Sequence, residues 1–581
     1  MSASLRALLD VLLFEWLDVE ALSTRPRFAE QGRSEWAAML DAAERIARGV
    51  CAPANRACDE QEPRLDAAGR VQLPASTAKA LQAYTQSGLS AATQDAEWGG
   101  LQLPCAVAMA ANAFVSKASV GVAGYALLST GNANLILAHG NEAQCEVFAR
   151  PLLAGRWFGT MCLSEPAVGS SLGDLTTRAR PDGVDFESDP LGPRYRLRGS
   201  KMWISGADHE LAENIVHLVL AKVPLADGSL PEGSAALSLF IVPKLRVAAD
   251  GNVLALRNGV VLAGLNHKLG WRGTVNGLLN FGEDDDCLGY RIGAEGQGLA
   301  CMFHMMNEAR IGVGLGAAML AMAGFETSMA YARERRQGRA IGQRSGAMVA
   351  LTEHADVRRM LLAQKAVAEG ALALCLYCAR LVDEGEDELL ALLTPIAKSW
   401  PSQWGLEANS LAIQVLGGAG YTRDWPVEQY WRDQRLNMIH EGTHGIQALD
   451  LLLRKASRPQ ALAALAARIN ATVEAALQRP ELAAQANQLA AALALVGRAT
   501  KAAWSAGDPG QAALHATPYL QAFGHLVLAW IWLDLARVDG DAGRAAARDY
   551  FYAYELPLVN AWLQPVLAGA LLLRDLDPET L

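Results

Sequence analysis

Trp157-Phe158-Gly159-Thr160-Met161-Cys162-Leu163-Ser164-Glu165-Pro166-Ala167-Val168-Gly169-Ser170 is the stretch on which the reading of the fold turns. Before it, apolar residues recur at helical spacing, as from Trp36 to Ala43 and from Ala106 to Ala123. With it begin short β-rich runs: Trp157 to Leu163, Tyr195 to Ser205, Ile215 to Val223, Leu237 to Val242 and Val275 to Phe281. Pro181-Asp182-Gly183, Asp227-Gly228 and Asp250-Gly251 punctuate these runs as turns. From about residue 291 the helical pattern returns, clearest over Ala317 to Arg336 and His354 to Asp383. The order predicts an α+β multidomain protein: a helical domain over 1–157, a β domain over 158–290, a helical bundle over 291–455 and a further helical extension over 456–581.

Composition bounds the function classes. At 581 residues the chain exceeds a single core, and about three or four domains are expected. Its 51 Lys and Arg stand against 61 Asp and Glu, a net charge of −10, which argues against a nucleic-acid surface. Apolar residues reach 51% and charged residues 19%, the balance of a core-rich globular protein. Nine scattered cysteines fit a reducing compartment better than a disulfide scaffold. Asp10 and Glu15 interrupt the apolar run from Leu5 to Leu17, so it reads as an amphipathic helix rather than a signal segment. No uncharged apolar run reaches about 18 residues, so no membrane span and a cytoplasmic location are expected.

Three apparent signatures are discounted. His440-Glu441-Gly442-Thr443-His444 matches H-E-x-x-H, but Gly costs about 1 kcal/mol inside a helix, and that motif needs a helix to bring both His to one metal. No metal site is expected. The run from Gly312 through Gly314 and Gly316 to Ala317 has dinucleotide-fingerprint spacing but follows a helical stretch, so close helix packing is the better reading. Cys375 and Cys378 have redox spacing inside an apolar helix, where structural burial is expected.

Four other segments agree with one another. Met161 to Ser170 runs from a strand into a Gly/Ser loop whose backbone N–H groups can face a phosphate or a flavin edge. Lys201-Met202-Trp203-Ile204-Ser205-Gly206 would put an aromatic plane and a hydroxyl on one strand face. Tyr331 to Arg339 is a basic helix end. The fourth runs from Gln414 through Gly417-Gly418 and Arg432-Asp433 to His440-Glu441-Gly442-Thr443. In this order, over about residues 30–455, the chain resembles the acyl-CoA dehydrogenase family. The extension resembles its longer branch, which includes 3-(methylthio)propanoyl-CoA dehydrogenases. The shared texture includes Glu97-Trp98-Gly99-Gly100, the run from Asn214 to Ala221 and Met305-Met306-Asn307-Glu308-Ala309-Arg310.

The resemblance implies a barrel-like middle domain and FAD-dependent oxidation of an acyl-CoA to the trans-2-enoyl-CoA. Glu441 would be the base that takes the α-proton, with hydride passing from the β-carbon to FAD. Met161, Leu163, Ser164, Trp203 and Ser205 would lie along the flavin, with Gly169 and Ser170 near the pyrophosphate or thioester tail. Arg335, Gln337, Gln414 and Gly418 would reach the FAD of a neighbouring subunit, which implies a homo-oligomer, with a dimer favoured. Thr443 would sit close to FAD. Ser170, Asn307, Arg310, His440 and Gly442 would line the substrate or CoA tail, and an electron-transfer flavoprotein would take the electrons. The chain departs from the family pattern at His440, where Tyr is common, at Gly445, where Gln is common, and in a basic helix end that lacks the usual Phe. Two alternatives on the same frame are an acyl-CoA oxidase using O₂ and a nucleic-acid-associated member. The extension argues against the second, with 9 basic and 11 acidic residues.

Overall fold

The computed structural model describes residues 5–580. The chain forms two compact units. One holds Glu35–Leu103 and Phe114–Ala309; the other holds the stretch up to Ser34, Pro104–Ala113 and the stretch from Arg310 onward.

The first unit is built on an eight-stranded sheet. Its strands are β1 (Trp157–Cys162), β2 (Arg178–Pro181), β3 (Arg194–Ser205), β4 (Asn214–Lys222), β5 (Leu237–Pro243), β6 (Val260–Leu265), β7 (Asn276–Phe281) and β8 (Leu288–Ile292). The path β6-β7-β3-β8-β5-β4-β1 is closed on itself by β2, which pairs with both β3 and β4. That closure gives the barrel-like form. β4 and β5 are buried along their whole length, and apart from Asn214, His217 and Lys222 in β4 and Ser238 in β5 their residues are apolar. β2, β6 and β8 were not among the expected strands, because their short, charged or half-exposed sequences carry no two-residue alternation.

The helix Val120–His139 packs behind β1. Ser129 Oγ accepts from Gly159 N at 3.1 Å, and Asn132 Nδ2 donates to Thr160 O and Val216 O at 3.0 and 3.2 Å. A Cβ on Gly159 would lie 2.5 Å from Asn132 Cβ, so this close approach requires glycine. The helical run expected across Ala106 to Ala123 is broken at Ser119, whose extended backbone and side chain cap the helix that follows.

The second unit is helical. Its bundle is α1 (Gly298–Glu334, which enters this unit at Arg310), α2 (Ala355–Glu384), α3 (Asp387–Leu416), α4 (Val427–Leu436) and α5 (His444–Leu449). The fingerprint-like glycines lie within α1. A Cβ on Gly314 would fall 2.0 Å from Ala397 O of α3 and 3.2 Å from Cys375 Sγ of α2, so the small residue lets three helices meet. Cys375 and Cys378 are buried inside α2, and burial pushes the Cys378 thiol up to about 12. All nine cysteines are free thiols.

The extension adds α6 (Pro459–Leu477), α7 (Ala483–Ala503) and α8 (Ala516–Leu535). α8 is buried along most of its length and packs on the bundle, where Trp400 Nε1 of α3 donates to His525 Nδ1 at 3.1 Å. The N-terminal run is helical, as α-helix over Leu5–Asp10 and π-helix over Val11–Trp16. One expectation needs correction. Three helices, Val120–His139, Gly298–Glu334 and Ala355–Glu384, are long and apolar enough by composition to cross a membrane. Their most apolar windows are 61, 83 and 89% buried inside the protein, so their apolarity serves the cores.

Candidate functional site

In the first unit the expected cofactor residues gather at the ends of β1 and β3. Met161 is half-buried on β1, Leu163 is buried, and the Ser164 carbonyl accepts from Met202 N at 2.9 Å, tying the two strand ends together. The loop beyond is anchored by Glu165. Its carboxylate accepts from the backbone and hydroxyls of Thr176 and Thr177 at 2.6 to 2.9 Å and pairs with the buried Lys201 Nζ at 3.1 Å. Burial opposes its ionisation, yet Lys201 and these four hydrogen bonds prevail and hold the carboxyl at about 2. Lys201 also donates to Leu163 O at 2.9 Å. This anchored loop leaves Gly169 and Ser170 exposed, with open space around Gly169.

Trp203 sits in a β-bulge. Between the Gly277–Ile204 and Leu279–Lys201 pairs the register slips, so Met202 and Trp203 share one partner position on β7. The bulge breaks the strand's alternation, and Lys201 and Ile204, three residues apart, are both buried. Trp203 takes a left-handed backbone with φ of +66°, and its ring is 62% exposed. A bulky residue there costs about 1–3 kcal/mol, which surrounding contacts must hold. One of these is Asn276 Nδ2, which donates to Trp203 O at 3.0 Å and to Ser205 Oγ at 3.1 Å. Ser205 is half-buried, and Asn307 is exposed on the first turns of α1. An exposed aromatic plane, a serine hydroxyl and an open Gly/Ser loop fit a flat, phosphate-bearing heterocycle such as FAD.

In the second unit, Glu441 stands on the turn between α4 and α5. It takes φ of +54° and Gly442 takes +88°, two successive left-handed residues. Gln447 Nε2 donates to Glu441 O at 2.8 Å, and Lys398 Nζ, from α3, donates to Gly442 O at 2.6 Å. Thr443 caps α5 by accepting from Ile446 N, and His440 Nε2 lies 3.3 Å from Asn437 Oδ1. No hydrogen bond among the described residues reaches the Glu441 carboxylate. Burial pushes its pKa up to about 7, against the positive fields of Lys398 and Arg310. Burial also lowers Lys398 to about 7. Arg310 itself is buried, with Nη1 3.0 Å from Asp450 Oδ2. It therefore reaches the base as a field rather than as an exposed hand. Arg335, Gln337, Gln414 and Gly418 are all exposed.

This turn also explains why H-E-x-x-H is not a metal site here. Glu441 and Gly442 are left-handed and the helix begins only at His444, so the two His never share a helical face. Among the described residues no cluster could hold a metal ion. The sequence reading passed over Lys398, Gln447 and Asn276. Lys398 had a legible signal, a single charge in the apolar run from Thr394 to Trp400. Asn276 had none, because its role depends on strand pairing.

Residues 34–156 match the acyl-CoA dehydrogenase N-terminal domain, 296–456 the acyl-CoA dehydrogenase C-terminal domain, and 465–577 the acetyl-CoA dehydrogenase C-terminal-like domain. Two solved structures share the fold at 20% identity and a TM-score of 0.75. One is Caenorhabditis elegans ACDH-11 in complex with C11-CoA, covering 98% of this chain and 94% of its own. The other is an acyl-CoA dehydrogenase complexed with FAD from Bacillus anthracis, covering 96 and 92%. A 3-methylmercaptopropionyl-CoA dehydrogenase of Ruegeria pomeroyi is 34% identical over 573 residues, 96% of this chain and 94% of that protein. With a desolvated carboxylate on its Glu-Gly-Thr turn and this likeness along nearly its whole length, the chain belongs to the acyl-CoA dehydrogenase family.

Proposed function

We propose that the protein catalyses FAD-dependent α,β-dehydrogenation of a short acyl-CoA, with 3-methylmercaptopropionyl-CoA as the leading candidate substrate, and that Glu441 removes the α-proton. The observation that carries this reading is the Glu441 carboxyl, held near 7 by burial and free of any hydrogen bond among the described residues. A base of that pKa is ionised in half or more of molecules at neutral pH and takes up a proton more readily than an ordinary glutamate. Lys398 and Gln447 fix the backbone on either side of it, so the carboxylate is presented from a rigid turn. FAD, when bound, supplies the acceptor for the hydride that leaves the β-carbon.

The 34% likeness to the 3-methylmercaptopropionyl-CoA enzyme supports the thioether substrate. The exposed Arg335, Gln337, Gln414 and Gly418 support a homodimer in which each copy completes the other's cofactor site. Family membership supports an electron-transfer flavoprotein as acceptor, and nine free thiols support a cytoplasmic location. Anaerobic titration of the flavin-loaded protein with a panel of acyl-CoAs tests the reading. Bleaching of the flavin band by 3-methylmercaptopropionyl-CoA and butyryl-CoA is expected. A strong preference for long straight chains would reject the substrate assignment, and peroxide formed in air without another acceptor would favour an oxidase.

A further inference from the structure

We infer that Asn276, backed by Asn266, is a positioning residue that fixes the direction in which Ser205 donates its hydroxyl hydrogen. This rests on the flavin reading of the Trp203–Ser205 strand end. All four residues belong to one compact unit.

The hydrogen-bond directions are forced by chemistry. The Trp203 carbonyl can only accept, so the amide nitrogen of Asn276, 3.0 Å away, must be the atom that faces it. The amide oxygen then faces the other way, where it accepts from Asn266 Nδ2 at 2.7 Å. A primary amide carries two hydrogens. One goes to Trp203 O and the other to Ser205 Oγ at 3.1 Å, so Ser205 is the acceptor in that pair. Its own hydrogen is thereby left for another acceptor, and the Ser205 hydroxyl makes no other hydrogen bond among the described residues. Backbone pairing holds the arrangement: Asn276 lies opposite Ser205 across β7 and β3, and Asn266 N donates to Asn276 O at 2.9 Å.

A serine hydroxyl can rotate, and left alone it would sample acceptor and donor roles. With one lone pair filled by a fixed amide, Ser205 is a donor to whatever lies beside the exposed Trp203 ring. The structure thus assigns to this strand end a directed donor suited to a flavin heteroatom. Such a donor would shift the flavin potential, towards the reduced ring if it faces a carbonyl oxygen or a nitrogen that stays unprotonated, and towards the oxidised ring if it faces the nitrogen that takes up the hydride. Asn276 also grips the carbonyl of the left-handed Trp203, so one side chain sets both the aromatic plane and the hydroxyl.

The test is a double-mutant cycle on FAD-loaded protein using Asn276→Leu, Ser205→Ala and the combination, read by the flavin midpoint potential, its visible bands and the FAD Kd. Asn276→Leu keeps the side-chain volume while removing both donors. Each single change should shift the potential in the same direction and raise the FAD Kd about three- to tenfold, and in the potential the combination should add little to Ser205→Ala alone. An unaltered potential in Asn276→Leu, or an effect just as large in the Ser205→Ala background, overturns the inference while leaving the flavin reading intact. Wild-type protein that binds no FAD overturns both. Should Asn276→Leu fail to fold, Asn266→Ala gives a smaller shift of the same sign through the same readouts, and no shift in that variant counts against the inference.

Discussion

Two carboxylates, one in each unit, lie near a lysine and are driven in opposite directions. Glu165 is held at about 2, and Glu441 is pushed up to about 7. The difference lies in where the lysine spends its hydrogen bonds. Lys201 donates to the Glu165 carboxylate itself, which the Thr176–Thr177 backbone and hydroxyls also saturate. Lys398 donates instead to the Gly442 carbonyl, leaving the Glu441 carboxylate with a nearby field but no direct partner. A saturated carboxylate is structural and chemically inert. An unsaturated one, desolvated beside a lysine that bonds elsewhere, is suited to take up a proton.

The largest effect should come from removing the base. Glu441→Gln is expected to keep FAD and fold while kcat/KM falls about 10³- to 10⁴-fold, the range of general-base catalysis. Stopped-flow flavin reduction reads this directly, and near-normal turnover would reject the assignment. Glu165→Gln should act on stability instead, because it strands Lys201 as a buried charge at a cost of about 3–5 kcal/mol. A denaturant melt measures that loss. The sign with pH follows: the folded carboxyl titrates below the ordinary 4.5, so its contribution is complete above about 4.5 and disappears as pH falls towards 2. Glu441 has the opposite sign. Its folded pKa lies above 4.5, so ionising it weakens the fold as pH climbs from about 4.5 to 7.

Smaller effects sharpen the contrast. The pH profile of kcat/KM should rise through a limb near 7 as Glu441 ionises. Lys398→Met removes a positive field that lowers the Glu441 pKa, so the limb should move to higher pH. A shift of about one pKa unit should then lower activity at pH 7 about fivefold, as the ionised fraction falls from about one half to about one tenth. A limb that stays in place would mean the lysine acts only through the Gly442 carbonyl. Gln447→Leu removes one donor to the Glu441 backbone and should cost about 1–2 kcal/mol of stability, with a several-fold lower kcat.

Much of the site was legible because its residues lie close together in sequence. Met161 to Ser170, Trp203 to Ser205 and His440 to Thr443 are contiguous segments, and each lands at the end of an element in the fold. Long strands such as β4 and β5 also announced themselves, since an apolar run buried on both faces needs no partner to be recognised. The bulge at Trp203 could not be read. It depends on a slip against β7, more than seventy residues away along the chain. The apolarity of α1 and α2 was likewise ambiguous, because helices buried in protein and helices in lipid have similar composition.

The sequence by itself determined the helical–β–helical order through its periodicity and, through the short motifs that carry the family resemblance, the reaction class and Glu441 as the proposed base, since both are local properties of the chain. Only the tertiary structure decided the state of the Glu441 carboxylate. Left-handed backbone at Glu441 and Gly442, a lysine from another helix and a carboxylate without a direct partner together set its pKa. Electrostatics and hydrogen bonding act through space, and no spacing along the chain encodes a lysine donating to a carbonyl forty-four positions away rather than to a carboxylate.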